Sequence, residues 1–216
     1  MHQATESSVA STRSRRGLLS AGLLAGAALL TRTSETQAAT SGVVFNPTRE
    51  FRDIRKHEND HVAYLVKALG NRARPKPTFK NLRQKSILQF RQVSQALENT
   101  GVGAYLGATP AITSKEVLAA AASVALIEAR HAGFLNVLNS DRITDQPVIR
   151  VMNQSFETPL TPEQVRRAAG PFIANLNGGP PVDFNPGDDI SILNYALALE
   201  YLEAEFYNIN VPRFYP

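Results

Sequence analysis

The chain has 216 residues, no Cys, no Trp and 43% hydrophobic residues: enough length and apolar material for one domain with appendages, and no means of building a disulfide scaffold. Its formal charge of +4 falls to about +2 beyond residue 39, where 19 basic residues face 17 acidic ones, so charge gives no reason to expect a nucleic-acid partner.

At the N-terminus, Ser14-Arg15-Arg16-Gly17-Leu18-Leu19 opens an Ala/Gly/Leu-rich run over 18–30, which is followed by Thr36-Gln37-Ala38-Ala39. The run is shorter than the roughly 20 residues that span a bilayer, so 1–39 reads as a cleavable signal peptide rather than an anchor. The arginine pair before a weakly hydrophobic core resembles a bacterial twin-arginine signal, a route for proteins that fold before export, often around a cofactor. A Sec-type signal with a chance arginine pair is the alternative. Either way the expected domain is 40–216, periplasmic or extracellular, with no further segment long and apolar enough to cross a membrane.

Beyond residue 40 the periodicity predicts helices and almost no strand. Over 48–69, Phe51, Ile54, Glu58, His61, Val62, Leu65 and Leu69 share a helical stripe that ends at Gly70. The basic, Pro-broken stretch 71–80 reads as a solvated loop. A second helix is predicted over 81–100, with Ile87, Phe90, Val93, Ala96 and Leu97 apolar and Glu98 at the stripe border. Gly101, Gly103 and Gly107 are expected to loosen the chain before Pro110 stops it. A third helix follows the capping pattern Thr113-Ser114-Lys115-Glu116 and continues to 138, with Leu118, Ala121, Ala125, Glu128, His131, Leu135 and Leu138 on one face. Repeated Pro and Gly make 139–189 a long connection holding one short helix over 161–173, capped by Thr161. The last helix starts at Asp188-Asp189, faces inward with Leu193, Ala196, Leu197, Glu200, Ala204 and Tyr207, and is expected to end at Pro212. Four long amphipathic helices without strands make an all-α bundle.

The residues interrupting the apolar stripes carry the chemistry. Glu58 and His61 stand at i and i+3 on the first helix, and Glu128 and His131 repeat the spacing on the third, so each pair lies one turn apart on one face and can reach one metal ion. Each sits where the stripe requires a core residue, and burying even a neutral polar group without a partner costs of order 2–7 kcal/mol. A salt bridge would satisfy one pair, but no Lys or Arg recurs on these faces, whereas metal coordination satisfies both at once. With Glu98 and Glu200 on the other two helices, the set is the inventory of a dinuclear carboxylate site in a ferritin-like bundle. Glu203 shares the face of Glu200 as an outer ligand, Glu205 points away, and His57, one residue out of phase, is a surface group or one behind the ligands.

Several stretches resemble the exported ferritin-like domain family that includes desiccation-related and stress-related proteins. They are Ile192-Leu193-Asn194-Tyr195-Ala196-Leu197-Ala198-Leu199-Glu200-Tyr201-Leu202-Glu203-Ala204-Glu205-Phe206-Tyr207, Glu98 to Ala108, Glu128-Ala129-Arg130-His131-Ala132 and Pro159-Leu160-Thr161-Pro162-Glu163-Gln164-Val165. In that family the helix matching 192–207 comes first, whereas here it comes last. The resemblance therefore implies a circularly permuted bundle, whose connection over 139–189 must travel about 30 Å, near 20 residues of helix rise. A helix swapped from a second protomer, and hence a homodimer, is the alternative.

Four carboxylates and two imidazoles suit two Fe or Mn ions, with bridging Glu holding such a pair roughly 3.5–4 Å apart. That donor set supports chemistry on O2, peroxide or Fe(II): ferroxidase, peroxide-scavenging or substrate-oxidising. Tyr64, Tyr105, Tyr195, Tyr201 and Tyr207 read as packing residues with polar tips, with a radical or ligand-supporting role as the alternative. The competing expectation for the whole protein is a metal-free, non-catalytic bundle with a protective role under stress.

Overall fold

The computed structural model describes residues 46–216. The expected signal peptide, 1–39, lies outside the described residues. Helix α1 (Pro47–Leu69) begins where the Asn46 side chain accepts from the Thr48 amide, and stops at Gly70, whose φ of +57° a side chain would resist.

Helix α2 (Ile87–Ala108) departs from the sequence reading at both ends. It starts six residues late because 81–86 is held as irregular chain: Gln84 donates its amide to Asn210 Oδ1 and its side chain to the carbonyls of Asn81 and Leu82. Ile87 and Ala96, expected among its apolar positions, lie on the exposed side. The helix also runs on through Gly101, Gly103 and Gly107. These residues forfeit about 1 kcal/mol each of helix propensity for close approach: an added Cβ would lie 2.6 Å from Glu128 Oε2 at 101, 2.4 Å from Leu160 Cγ at 103 and 2.1 Å from the Leu160 carbonyl oxygen at 107.

Helix α3 (Lys115–Leu138) is capped by Ser114, which accepts from the Val117 amide. Leu118, expected inside, is exposed, and Val117 turns inward in its place. By length and composition α3 is apolar enough to cross a membrane, contrary to the sequence reading, although it packs against α2 along its length and buries Glu128 and His131. Helix α4 (Pro162–Ala169) has the full capping box between Thr161 and Gln164 and gives way to a 3-10 turn where the longer helix was expected. Helix α5 (Asp189–Phe214) passes Pro212 by two residues, since a proline in the last turn removes only the bond to Asn208, and the Tyr215 amide still reaches the Val211 carbonyl at 2.8 Å.

The pairings Arg55–Asn208 and His61–Glu200 set α1 antiparallel to α5, Tyr105–Glu200 and Tyr207–Glu98 set α2 antiparallel to α5, and Gln95–Asn136 and His131–Glu98 set α3 antiparallel to α2. Helices α1 and α2 therefore run together, α3 and α5 run together, and the connections 70–86 and 139–188 each travel the length of the bundle. A small strand signal escaped the sequence: β1 (Thr78–Phe79) and β2 (Ile173–Asn175) pair antiparallel and tie the two crossovers together. Among the four long helices α1 packs on α5, α5 on α2 and α2 on α3, and the α1–α3 seam is the loosest.

Helix α5 is buried over most of its circumference between Ile192 and Val211, not on the single stripe expected, because the second crossover covers the side that α1 and α2 leave open. The interior has two parts. An aromatic cluster with Phe51, Phe90, Phe206, Tyr207 and Tyr215 fills one end, and an aliphatic one with Leu65, Leu69, Val124, Ala196 and Leu197 fills the other. Between them lies a layer of charge.

Candidate metal centre

The six residues proposed from the sequence as metal ligands sit in that layer, and Glu203, proposed as an outer one, lies beside it. Glu58, Glu98, Glu128 and Glu200 are completely buried, His131 nearly so, and His61 keeps 12% of its side chain exposed. The residues form two groups whose ligand atoms lie within 4.8 Å of one another: Glu58, His61, Glu128 and Glu200 in one, Glu58, Glu98, Glu128 and His131 in the other. Glu58 and Glu128 belong to both. Each histidine turns its Nδ1 inward: His61 Nδ1 is 3.3 Å from Glu58, 3.2 Å from Glu128 and 3.2 Å from Glu200, and His131 Nδ1 is 3.0 Å from Glu58 and 3.1 Å from Glu98.

The helices explain the symmetry. Glu-x-x-His stands on the inner face of both α1 and α3, and Glu98 and Glu200 occupy α2 and α5 between them. Two further residues complete the pattern. Tyr105 donates to Glu200 Oε1 at 2.5 Å, and Tyr207 donates to Glu98 Oε1 at 2.6 Å. Each tyrosine stands seven residues after the glutamate of its own helix, two turns along the same face, and the antiparallel crossing hands each hydroxyl to the other helix's carboxylate. Read as a Glu-x6-Tyr pair on two helices, this spacing was a sequence signal. Tyr64 lies half exposed outside the layer, while Tyr195 and Tyr201 make no hydrogen bond to a ligand.

His57 lies behind the site, stacked on His131 with its Nδ1 3.0 Å from His131 Nε2, so that His131's outer nitrogen is engaged and its inner one is left for the centre. Glu203 is buried beside the layer but belongs to neither group. Its Oε1 and Glu128 Oε2 both crowd the space that a side chain at Gly101 would take. Glu205 faces outward to Lys76 at 2.5 Å.

Electrostatically the layer is unfinished as it stands. Burial alone would raise every carboxyl. In Glu58 the bonds to His131 and His61 overcome it and hold the group down to about 2. Glu200 is pushed up to about 7, burial outweighing His61. Glu98 is raised by burial despite His131, and Glu128 and Glu203 are raised well above the carboxylate range by burial and by their acidic neighbours. Against burial, the carboxylates lift His131 to about 11 and raise His61 further. Glu128 Oε2 and Glu203 Oε2 have no hydrogen-bond partner, and Glu58 Oε1 and Glu128 Oε1 have only the ion-pair contacts to His131 Nδ1 and His61 Nδ1, outside hydrogen-bond geometry. No Lys or Arg is paired with any of the six ligand candidates among the described residues. Convergent, under-partnered carboxyl oxygens flanked by two Nδ1 atoms match what divalent or trivalent metal ions take as ligands, and a cation would replace the protons that burial holds on them.

A family model described as a ferritin-like domain matches residues 26–140 and 188–215. No curated protein and no solved structure matches the chain.

Proposed function

The chain belongs to the ferritin-like domain family, and from that membership together with the shared carboxylates we propose that it is an exported protein whose bundle holds a dinuclear Fe or Mn centre and acts on O2, peroxide or Fe(II) in stress protection. The observation that carries this reading is the overlap of the two ligand groups in Glu58 and Glu128. His61 and Glu200 would hold one ion and His131 and Glu98 the other, with Glu58 and Glu128 offered to both. Two redox ions held together supply or accept two electrons, which the reduction of O2 or the decomposition of peroxide requires.

The surrounding residues prepare the layer for that load. Tyr105 and Tyr207 fix the Glu200 and Glu98 carboxylates in orientation, His57 fixes the ring of His131, and Glu203 stands within reach of Glu128 as an outer ligand. Protons held on the raised carboxyls and imidazoles leave as metal enters, so loading is favoured by rising pH.

The unusual helix order belongs to the same proposal. Helix α5 supplies Glu200 to His61 of its own chain, and the crossover 139–188 covers the distance between the parallel α3 and α5. That supports a permuted but complete bundle over one completed by a neighbour's helix. The reading of 1–39 as a twin-arginine-type leader puts the folded domain outside the cytoplasm, where O2, peroxide and Fe(II) are its substrates.

Elemental mass spectrometry on natively exported protein tests the proposal, with a Glu58→Ala/His131→Ala variant alongside. The expected result is about two Fe or Mn per chain, lost in the variant, with O2 or peroxide consumed by the loaded protein. Folded wild type that carries no metal and takes up neither Fe(II) nor Mn(II) would leave a structural, non-catalytic bundle instead.

A further inference from the structure

The aliphatic end of the core is not completely filled. One turn from the ligand layer, toward the C-terminal end of α1, the bundle presents Leu65, four residues after His61, Val124, four before Glu128, and Ala196, four before Glu200. On α2 Tyr105 reaches the same level. Together with Ala104 and Ala121 they line the near end of a cavity of about 20 Å³ that reaches on to Val117 and Ile192, enough for one small molecule on the measure by which a water needs about 10–15 Å³. Alanines at three of these six places leave the space open. The position is set by helix direction: all four helices carry their lining residues to the same side of the ligands, so the cavity begins one helical turn from the proposed centre.

Its wall is carbon. The Tyr105 hydroxyl is already donated to Glu200, and the one other hydroxyl among the buried lining residues, that of Tyr195, has no hydrogen-bond partner and is a single polar group, short of the two that a water requires. Water needs two to four polar partners to occupy such a space, and without them the space stays dry. The cavity also has a way out. Tyr64 and Val117 line it from the two sides of the loose α1–α3 seam, and Tyr64 is 49% exposed.

The geometry points to a binding pocket for molecular oxygen, which enters between α1 and α3 and is passed to the metal layer along Tyr105. Dioxygen is apolar and diatomic, which the volume and lining admit. A chain-like or aromatic substrate is too large, and peroxide would give up its hydrogen bonds to water on entry. This inference rests on the proposed dinuclear centre for its purpose, but occupation of the pocket does not require metal.

Metal-free crystals under krypton pressure test occupation. Krypton is expected in the cavity of the wild type and not in Ala121→Phe. Stopped-flow oxidation of the Fe(II)-loaded proteins tests delivery: Ala121→Phe is expected to slow the reaction with O2 by about tenfold or more while leaving the reaction with peroxide within about twofold. Val117→Phe, at the half-buried mouth, is expected to slow the O2 reaction in the same sense and serves if Ala121→Phe does not fold. An empty cavity under krypton overturns the pocket and leaves the metal centre standing. Krypton in the cavity with O2 rates unchanged in the blocked variants overturns its role in delivery. Wild type that fails to bind metal overturns the functional reading itself, and with it the purpose of the pocket.

Discussion

Replacing Glu128 by methionine should stabilise the metal-free protein and destroy its response to metal. Glu128 Oε2 is buried with no partner and Oε1 has only its 3.2 Å contact to His61 Nδ1, outside hydrogen-bond geometry, and each oxygen so buried costs about 1–3 kcal/mol. Methionine fills nearly the same volume without those atoms. Against the gain, His61 loses one of three carboxylate neighbours, keeping Glu58 and Glu200, at a cost of about 1–2 kcal/mol. The net favours the variant by about 0–5 kcal/mol, at roughly 2–4 °C in midpoint per kcal/mol for a domain of this size. With metal the sign reverses: an ion at a hundred times its dissociation constant adds about 2.7 kcal/mol to the wild type, whereas the variant, having lost a ligand common to both groups, gains little. Thermal melts with chelator and with Mn(II) in excess measure both differences. A variant that melts below the wild type in chelator, or that gains as much from Mn(II), would refute the argument that Glu128 is an uncompensated group waiting for a cation.

Three other outcomes are expected. Glu200, raised to about 7, and His131, raised to about 11, both hold a proton more tightly folded than unfolded. Stability from these two groups is complete below their unfolded values and is lost as pH rises, from about 4.5 to 7 for Glu200 and from about 6.5 to 11 for His131. Glu58, held at about 2, acts only on the acid side, where its contribution is lost as pH falls from about 4.5 toward 2. Midpoints in chelator should therefore decline from mildly acid to alkaline pH and flatten when Mn(II) is present; a chelated profile that climbs toward pH 9 contradicts the assignment. Gly107→Ala gains about 1 kcal/mol of helix propensity but drives a Cβ to 2.1 Å from the Leu160 carbonyl oxygen, displacing a leucine that is 2% exposed and breaking its amide's 2.8 Å bond to Gly103. A net loss of about 2–4 kcal/mol in denaturant melts is expected, and neutrality would show that the crossover yields easily. Asn136→Ala removes a buried amide that accepts from Gln95 and Asn99 and donates to the carbonyls of Asp145 and Ile143. A loss of about 2–4 kcal/mol with early proteolysis in 139–160 is expected, and unchanged protease resistance would show that the network does not hold the crossover.

The sequence by itself determined the four long helices and which polar side chains interrupt their apolar stripes. Glu58, His61, Glu128 and His131 were legible because a charged residue on an apolar stripe has to be satisfied inside, and the i, i+3 spacing says that two of them meet. Caps such as Thr161 and Asp188 were legible for the same local reason, each serving an amide three residues on, whereas at α3 the cap falls on Ser114, one residue beyond the Thr113 that the capping pattern implied. What depended on distant segments was not. The course of α2 through its glycines follows from where Leu160 and Glu128 lie, more than 20 residues away, and local propensity reads those glycines as breaks. The all-round burial of α5 follows from a crossover whose path no periodicity encodes. Tyr105 and Tyr207 looked like packing residues because a hydroxyl's partner lies on another helix, and only the antiparallel crossing delivers each to its glutamate. The sharing of Glu58 and Glu128 between two groups, and the dry space beside them, are properties of four helices at once. Local sequence fixes which side chains a helix offers, but their distances across the bundle are set by how the helices pack.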